Sequence, residues 1–194
     1  ELERDPQAVA DAARSYGARY VVCYWIPHDG PFTKSHADTA SEVLNRAGKK
    51  ISENGLLLCY HPHGYEFLPE GKETVFDYLI GKLTPGLVYL QMDVFWIKQA
   101  GLDPVTILKR YPTRFVSLHL KDRKRKSPFS SDGKADPETN VVLGTGDVGI
   151  DRIYQAASEL GLQFFFIEDE SSRAMEQIPR SLDYLKNLSP QTRK

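Results

Sequence analysis

No apolar run in the sequence approaches the roughly 20 residues that a bilayer span requires. No basic start followed by an apolar stretch is present either, so a membrane-embedded chain is not expected. Charge of one sign is also lacking. The 25 Lys and Arg stand against 26 Asp and Glu, a formal net charge of −1 that offers no global attraction to nucleic acid or anionic lipid. The one basic run, "KDRKRKSP" at 121–128, has no interleaved aromatics for bases to stack on. It reads as a solvated loop that could recruit a substrate phosphate, with no nucleic-acid partner expected. Only 2 cysteines occur, Cys23 and Cys59, both inside apolar runs where a thiol behaves as a small hydrophobe, and they leave the compartment open. A glycine-rich phosphate turn after the first apolar run, "VVCYWIP", is missing as well. The "GTGDVG" at 144–149 follows a polar stretch and reads as turn chemistry.

What is present is an ordinary globular composition, 194 residues with 41% hydrophobic, enough for one well-buried core. Helical and strand-like segments alternate. "DPQAVADAARSY" (5–16) opens on an Asp-Pro helix start and gives way at Gly17 to the strand-like "ARYVVCYWIP". A long helix over about 36–53 precedes "LLLCYH", and His36 falls in the polar loop before it. Then follow the helix "ETVFDYLIGKL", the strand "LVYLQMD", the helix "DPVTILKRY" and the strand "RFVSLHLKD". The helix "DVGIDRIYQAASELG", the strand "LQFFFIEDE" and an amphipathic helix over 171–188 complete the series. Five buried strands alternating with helices define a parallel α/β protein without a second domain.

The polar residues distinguish a doubly wound sheet from a barrel. Four of the five strands end in candidate ligands: His61 and His63; Asp93; His119 with Lys121 and Asp122; Glu168 with Asp169 and Glu170. A barrel gathers its chemistry in this way, from the C-terminal ends of several strands. Five strands do not close a barrel, which typically needs about 250 residues. The reading is therefore the C-terminal part of a (β/α)8 TIM barrel spanning 1–194, strands four to eight, with three N-terminal βα units missing. A carboxylate, an imidazole and another carboxylate on successive strand ends suit one divalent ion: Mn²⁺, Mg²⁺, Co²⁺ or Zn²⁺.

"YHPHGYEF", "MDVFWIKQAGLDPVTILKRYPTRFVSLHLKD" and "FFFIEDE" resemble blocks of the sugar phosphate isomerase/epimerase family, the xylose isomerase-like TIM barrels that also include endonuclease IV. The resemblance runs over about 5–188. It implies a metal held by Asp93, His119 and Glu168, with a fourth ligand from the fifth strand end. There this chain has His61-Pro62-His63 where many relatives have a Glu, so either His61 or Glu66 takes the place. Glu66 is favoured because a third carboxylate suits Mn²⁺ or Mg²⁺, whereas His61 tilts the site toward Zn²⁺ or Co²⁺. Trp96 stands where many relatives carry a His and reads as an apolar wall for a sugar ring. With only 5 histidines, a trinuclear zinc site of the endonuclease type is not expected.

His63 is the candidate general base or acid, since imidazole titrates near the working pH. Glu168 and Lys121 are further catalytic candidates, Lys121 by stabilising a developing enolate. His28, His61, Trp96 and Lys121 are substrate-binding candidates. The implied activity is isomerisation or epimerisation of a sugar, keto-sugar or polyol through an enediolate-like intermediate. Dehydratase or lyase chemistry on a keto-sugar or inositol derivative is the near alternative, and a non-catalytic carbohydrate-binding barrel the distant one. The expected partner is a small carbohydrate. Homo-oligomerisation is left open, as is the choice between cytoplasm and periplasm for a soluble protein.

Overall fold

The structure is a computed structural model that describes residues 1–188, and these divide into two compact units, Glu1–Gln91 and the part from Met92 onward. In the first unit, α1 (Pro6–Ser15) starts where Asp5 accepts the Ala8 N–H at 2.9 Å, with Pro in its first turn. It leads into β1 (Tyr20–Cys23). The next helix, α2 (Lys34–Glu53), begins ahead of the sequence expectation because Thr33 caps it. Thr33 Oγ1 accepts the His36 N–H, and His36 Nδ1 accepts the Thr33 N–H at 3.1 Å. This is a capping box with His in the place usually held by Glu or Gln, so His36 belongs to a helical turn and not to a polar loop.

β2 (Leu57–Tyr60) follows and pairs in parallel with β1, Tyr20 opposite Leu57 and Cys23 opposite Tyr60. After it come a 3₁₀ turn at Tyr65–Phe67 and a two-stranded hairpin, β3 (Pro69–Glu70) with β4 (Glu73–Thr74). α3 (Val75–Lys82), capped reciprocally by Thr74 and Asp77, leads to β5 (Val88–Asp93). Leu58, Cys59 and Tyr60 face Val88, Tyr89 and Leu90, so the order here is β1-β2-β5, all parallel.

The buried face of α2, with Leu44, Ala47 and Ile51, packs on β2 and α3. Gly48 lets it come close: a Cβ there would sit 2.5 Å from the Leu87 carbonyl oxygen, which is backbone and cannot swing aside. Gly48→Ala is therefore expected to lower stability by about 1–3 kcal/mol despite alanine's better helix propensity. Urea unfolding of the two proteins measures it.

The second unit takes up the end of β5 at Met92 and Asp93. Asp93 caps the short helix α4 (Val94–Gln99), which the sequence reading did not separate from its surroundings. α5 (Pro104–Arg110), capped by Asp103, precedes β6 (Phe115–Leu120). A hairpin of β7 (Asp122–Arg123) and β8 (Asn140–Val141) leads to α6 (Ile150–Glu159). β9 (Phe164–Ile167) then pairs in parallel with β6, Ser117 opposite Phe164 and Leu120 opposite Ile167, and α7 (Ala174–Leu188) ends the described chain.

Two expectations are corrected here. β2, β5 and β6 are largely buried, but β1 and β9 are not: Val22 is 36% and Phe166 42% exposed. The basic run is not wholly a solvated loop either. Lys124, Arg125 and Lys126 are exposed, but Lys121 and Arg123 are buried. The Arg123 guanidinium donates to both Asp147 carboxylate oxygens at 3.0 Å and to Gln99 Oε1 at 3.0 Å, and lies 4.5 Å from the Phe129 ring centre. An arginine so enclosed holds the loop to the core and meets no polyanion.

Candidate metal and acid–base centre

In the second unit, Asp93 stands at the end of β5, His119 near the end of β6, and Glu168 directly after β9. Ligand atoms of Asp93 and His119 lie within 4.8 Å of one another. His119 Nδ1 is 2.7 Å from Glu168 Oε2, and the Glu168 N–H donates to Leu120 O at 3.2 Å, which ties the acidic arm to β6. The hydrogen bond from His119, helped by the charge of Lys121, holds the Glu168 carboxyl below its ordinary range. Burial and the negative charge of Asp93 act the other way without prevailing. One imidazole with two carboxylates is a donor set that fits a hard-to-borderline divalent cation.

Lys121 is buried and its ammonium pairs with Glu170. The same ammonium lies 5.2 Å from the Phe95 ring centre and 5.5 Å from that of Trp96. Trp96 thus lies against the lysine as a cation–π partner. Burial works against the Lys121 charge, but Asp93, Glu168 and Glu170 outweigh it and keep the group above the ordinary lysine range. It is a fixed positive charge and a hydrogen-bond donor, unsuited to act as a base near neutrality.

Asp122, weighed with the other strand-end carboxylates, has a different occupation. Its carboxylate accepts N–H bonds from Arg123 (2.8 Å), Gly144 (2.9 Å), Gly146 (2.9 Å) and Val148 (3.2 Å). The "GTGDVG" segment is the wrapping of this aspartate. A Cβ on Gly146 would fall 2.2 Å from Asp122 Oδ1.

In the first unit, His61 is buried and its Nδ1 lies 2.9 Å from Gln91 Oε1. An amide oxygen only accepts, so Nδ1 carries the proton and Nε2 the lone pair, the tautomer that ligating histidines use. His63 is half-buried, its ring 4.9 Å from that of His61. Glu66 is fully buried, and both its carboxylate oxygens accept the His63 N–H at 3.1 Å. It also accepts from the Tyr60 hydroxyl. Behind it, Tyr65 Oη lies 3.1 Å from Tyr60 Oη and accepts the Ile26 N–H at 3.0 Å. His28 Nδ1 is 2.7 Å from the Ile26 carbonyl, and its ring packs on Tyr65 at 4.5 Å. Glu66 therefore anchors the backbone at His63 and ties it to the Tyr60 side chain. No sequence motif marks Tyr60, Tyr65 or Gln91; the tyrosine that closes β2, six residues before Glu66, is a local signal of their contact.

Burial raises the Glu66 carboxyl from 4.5 to about 7, against the hydrogen bonds from Tyr60 and the backbone amides. The unfolded chain releases this proton near 4.5 and the folded chain near 7, so between those values the folded state holds the extra proton. Stability from this group is present at low pH and lost as pH rises through the window, at most about 3 kcal/mol by linkage. Denaturant unfolding at pH 5 and pH 8 should show that fall, and Glu66→Gln should flatten it. An equal slope in the variant would assign the effect to another group.

Alternating β/α units with polar side chains at the C-terminal ends of parallel strands define the TIM-barrel-like α/β class. The chain belongs to the xylose isomerase-like TIM barrel family, whose family model matches residues 5–188. It is 28% identical over 139 residues to an inosose dehydratase of Clostridium tetani, covering 66% of this chain and 45% of that protein. Among solved structures it resembles a sugar phosphate isomerase/epimerase from Parabacteroides distasonis, at 24% identity and a TM-score of 0.78. That match covers 98% of this chain and 66% of the other. A xylose isomerase-like TIM barrel protein from Mycobacterium smegmatis, solved in complex with magnesium, matches at 18% identity and a TM-score of 0.72, over 95% of this chain and 65% of that one. The chain spans about half the length of the curated relatives it matches. Among the described residues, no helix is long and apolar enough to cross a membrane.

Proposed function

We propose that the protein is a divalent-metal-dependent enzyme that moves a proton at the carbon beside a carbonyl of a keto-sugar or cyclitol ketone, completing an isomerisation or epimerisation. The observation that carries this reading is the grouping of Asp93, His119 and ionised Glu168 with the fixed charge of Lys121 in one unit. Asp93, His119 and Glu168 would hold the ion, which when bound polarises a carbonyl as a Lewis acid and orients neighbouring hydroxyls. His63 accepts the proton and, in an isomerisation, returns it to the neighbouring carbon, whereas an epimerisation needs a second group to return it on the opposite face; the hydrogen bonds from its backbone N–H to Glu66 hold His63 in place. Glu168, ionised, is the second candidate for that step. Lys121 donates a hydrogen bond to the oxygen on which negative charge develops. His28 in the first unit and Trp96 in the second are each candidates for substrate contact.

For the ligand that the family pattern draws from the fifth strand, the geometry within the first unit favours His61 over Glu66. The His61 tautomer leaves Nε2 as the donor atom, whereas both Glu66 oxygens serve Tyr60 and His63. His61→Ala should then lower metal occupancy and Glu66→Ala should not.

A second reading has its own support. Curated relatives of the chain include inosose dehydratases, and loss of a hydroxyl from the carbon next to the deprotonated one would follow the same first step, with Lys121 as a donor to the leaving group. Full-length protein incubated with ketoses and cyclitol ketones separates the two by product mass. An unchanged mass with a new stereoisomer supports the first reading, and a loss of one water supports the second. No conversion of any ketone by protein of stoichiometric metal content would overturn both.

A further inference from the structure

Resting on the reading of a ring-polyol ketone as substrate, we infer that Trp25 forms a stacking subsite for the C–H face of that ring, beside His63. No motif marked this residue. It follows the end of β1 and remains 39% exposed, with Tyr24 next to it at 66%. Its indole is stacked on the His28 ring at 5.4 Å and 23°, and meets Tyr65 edge-on at 4.8 Å and 69°. The His63 ring stands 5.9 Å away at 79°, and Tyr24 lies 6.3 Å from the same imidazole.

The platform is also held firmly. Ile26 donates its N–H to Tyr65 Oη at 3.0 Å, His28 Nδ1 bonds the Ile26 carbonyl at 2.7 Å, and Cys23 Sγ lies 3.6 Å from the Trp25 carbonyl. Tyr65 continues through Tyr60 to Glu66, the residue that anchors His63. One hydrogen-bonded hub therefore fixes the backbone next to Trp25 and at His63. A large aromatic surface left open in a preorganised segment, adjoining a side chain suited to proton transfer, is chemically matched to a rigid ring. The axial C–H groups of a cyclitol or pyranose give it an apolar face that lies on the negative π-surface of an indole, while its hydroxyls stay at the rim. An open-chain polyol has no such fixed face and loses more rotational freedom on stacking.

The test compares full-length wild type with Trp25→Ala and Trp25→Phe, titrated calorimetrically with myo-inositol as the ring probe and xylitol as the open-chain probe. Metal content and far-UV circular dichroism are followed in each protein. The expected result is a loss of at least ~10-fold in myo-inositol affinity for Trp25→Ala, less than ~2-fold for xylitol, and recovery of most of the ring affinity in Trp25→Phe, with metal content unchanged. Wild-type affinity for myo-inositol in Trp25→Ala would overturn the subsite. Equal losses for both probes would overturn it too, as would a wild type that binds neither. Ring-selective binding through Trp25 without turnover of any ketone would keep the subsite and sink only the catalytic reading.

Discussion

Under the proposed ligand set, replacing His119 with alanine is expected to abolish stoichiometric binding of a divalent ion and to reduce turnover by well over 10²-fold. Removal of groups that merely support a ligand already costs about 10–100-fold. His119 is suited to this experiment because its side chain is 25% exposed and ends no helix. Asp93 needs a gentler change. Its Oδ1 accepts the Phe95 N–H at 2.8 Å and the Trp96 N–H at 3.3 Å, so alanine would remove a helix cap worth about 0.5–2 kcal/mol together with the charge. Asp93→Asn keeps a capping oxygen and removes the anion. It should keep the melting temperature near wild type and still lose the metal. Elemental analysis beside thermal unfolding decides the matter, and full metal content in either variant would remove that residue from the proposed ligand set.

His63→Ala should behave in the opposite way, keeping the metal and losing about 10²–10⁴-fold in turnover, the usual range for a general base. The backbone there should survive, because Glu66 binds the His63 amide rather than its ring. Glu66→Ala would loosen the same loop from behind, with a smaller loss of turnover and a change in the pH dependence of stability. A His63→Ala protein that turns over as wild type would pass the proton-transfer role to Glu168.

Much of this was visible in the sequence where the signal is local and repeated. The βα rhythm, the Asp5-Pro6 start of α1 and the polar strand ends that include Asp93, His119 and Glu168 all rest on spacing and composition. Asp93 could be read either as a helix cap or as a ligand, and the geometry accommodates both, since one oxygen caps α4 while the side chain also lies near His119. What escaped is what depends on closure of the chain. α4 is a short apolar segment, "VFWIKQ", with no alternation to set it apart from the strand before it. The amides that fill the Asp122 carboxylate come mostly from residues 22 to 26 positions later, so no local pattern reveals that it serves as a structural anchor. Charge type alone favours Glu66 as a ligand. Its return bond to the His63 amide and its contact with Tyr60 are consequences of the 3₁₀ turn at Tyr65–Phe67, too short to announce itself.

Exchange of the hydrogen beside a ketone carbonyl for solvent deuterium is the most direct test, because isomerisation, epimerisation and dehydration share that proton removal. Full-length protein is incubated in D₂O with a cyclitol ketone and with ketoses, before and after chelation and after metal is restored, and the carbon-bound hydrogens are followed by NMR. The account predicts deuterium at that carbon in wild type, loss of exchange with chelator or in His119→Ala, and return of exchange when Mn²⁺, Mg²⁺, Co²⁺ or Zn²⁺ is added back to wild type. No exchange on any ketone, or exchange that continues undiminished in chelated wild type and in His119→Ala, would contradict it.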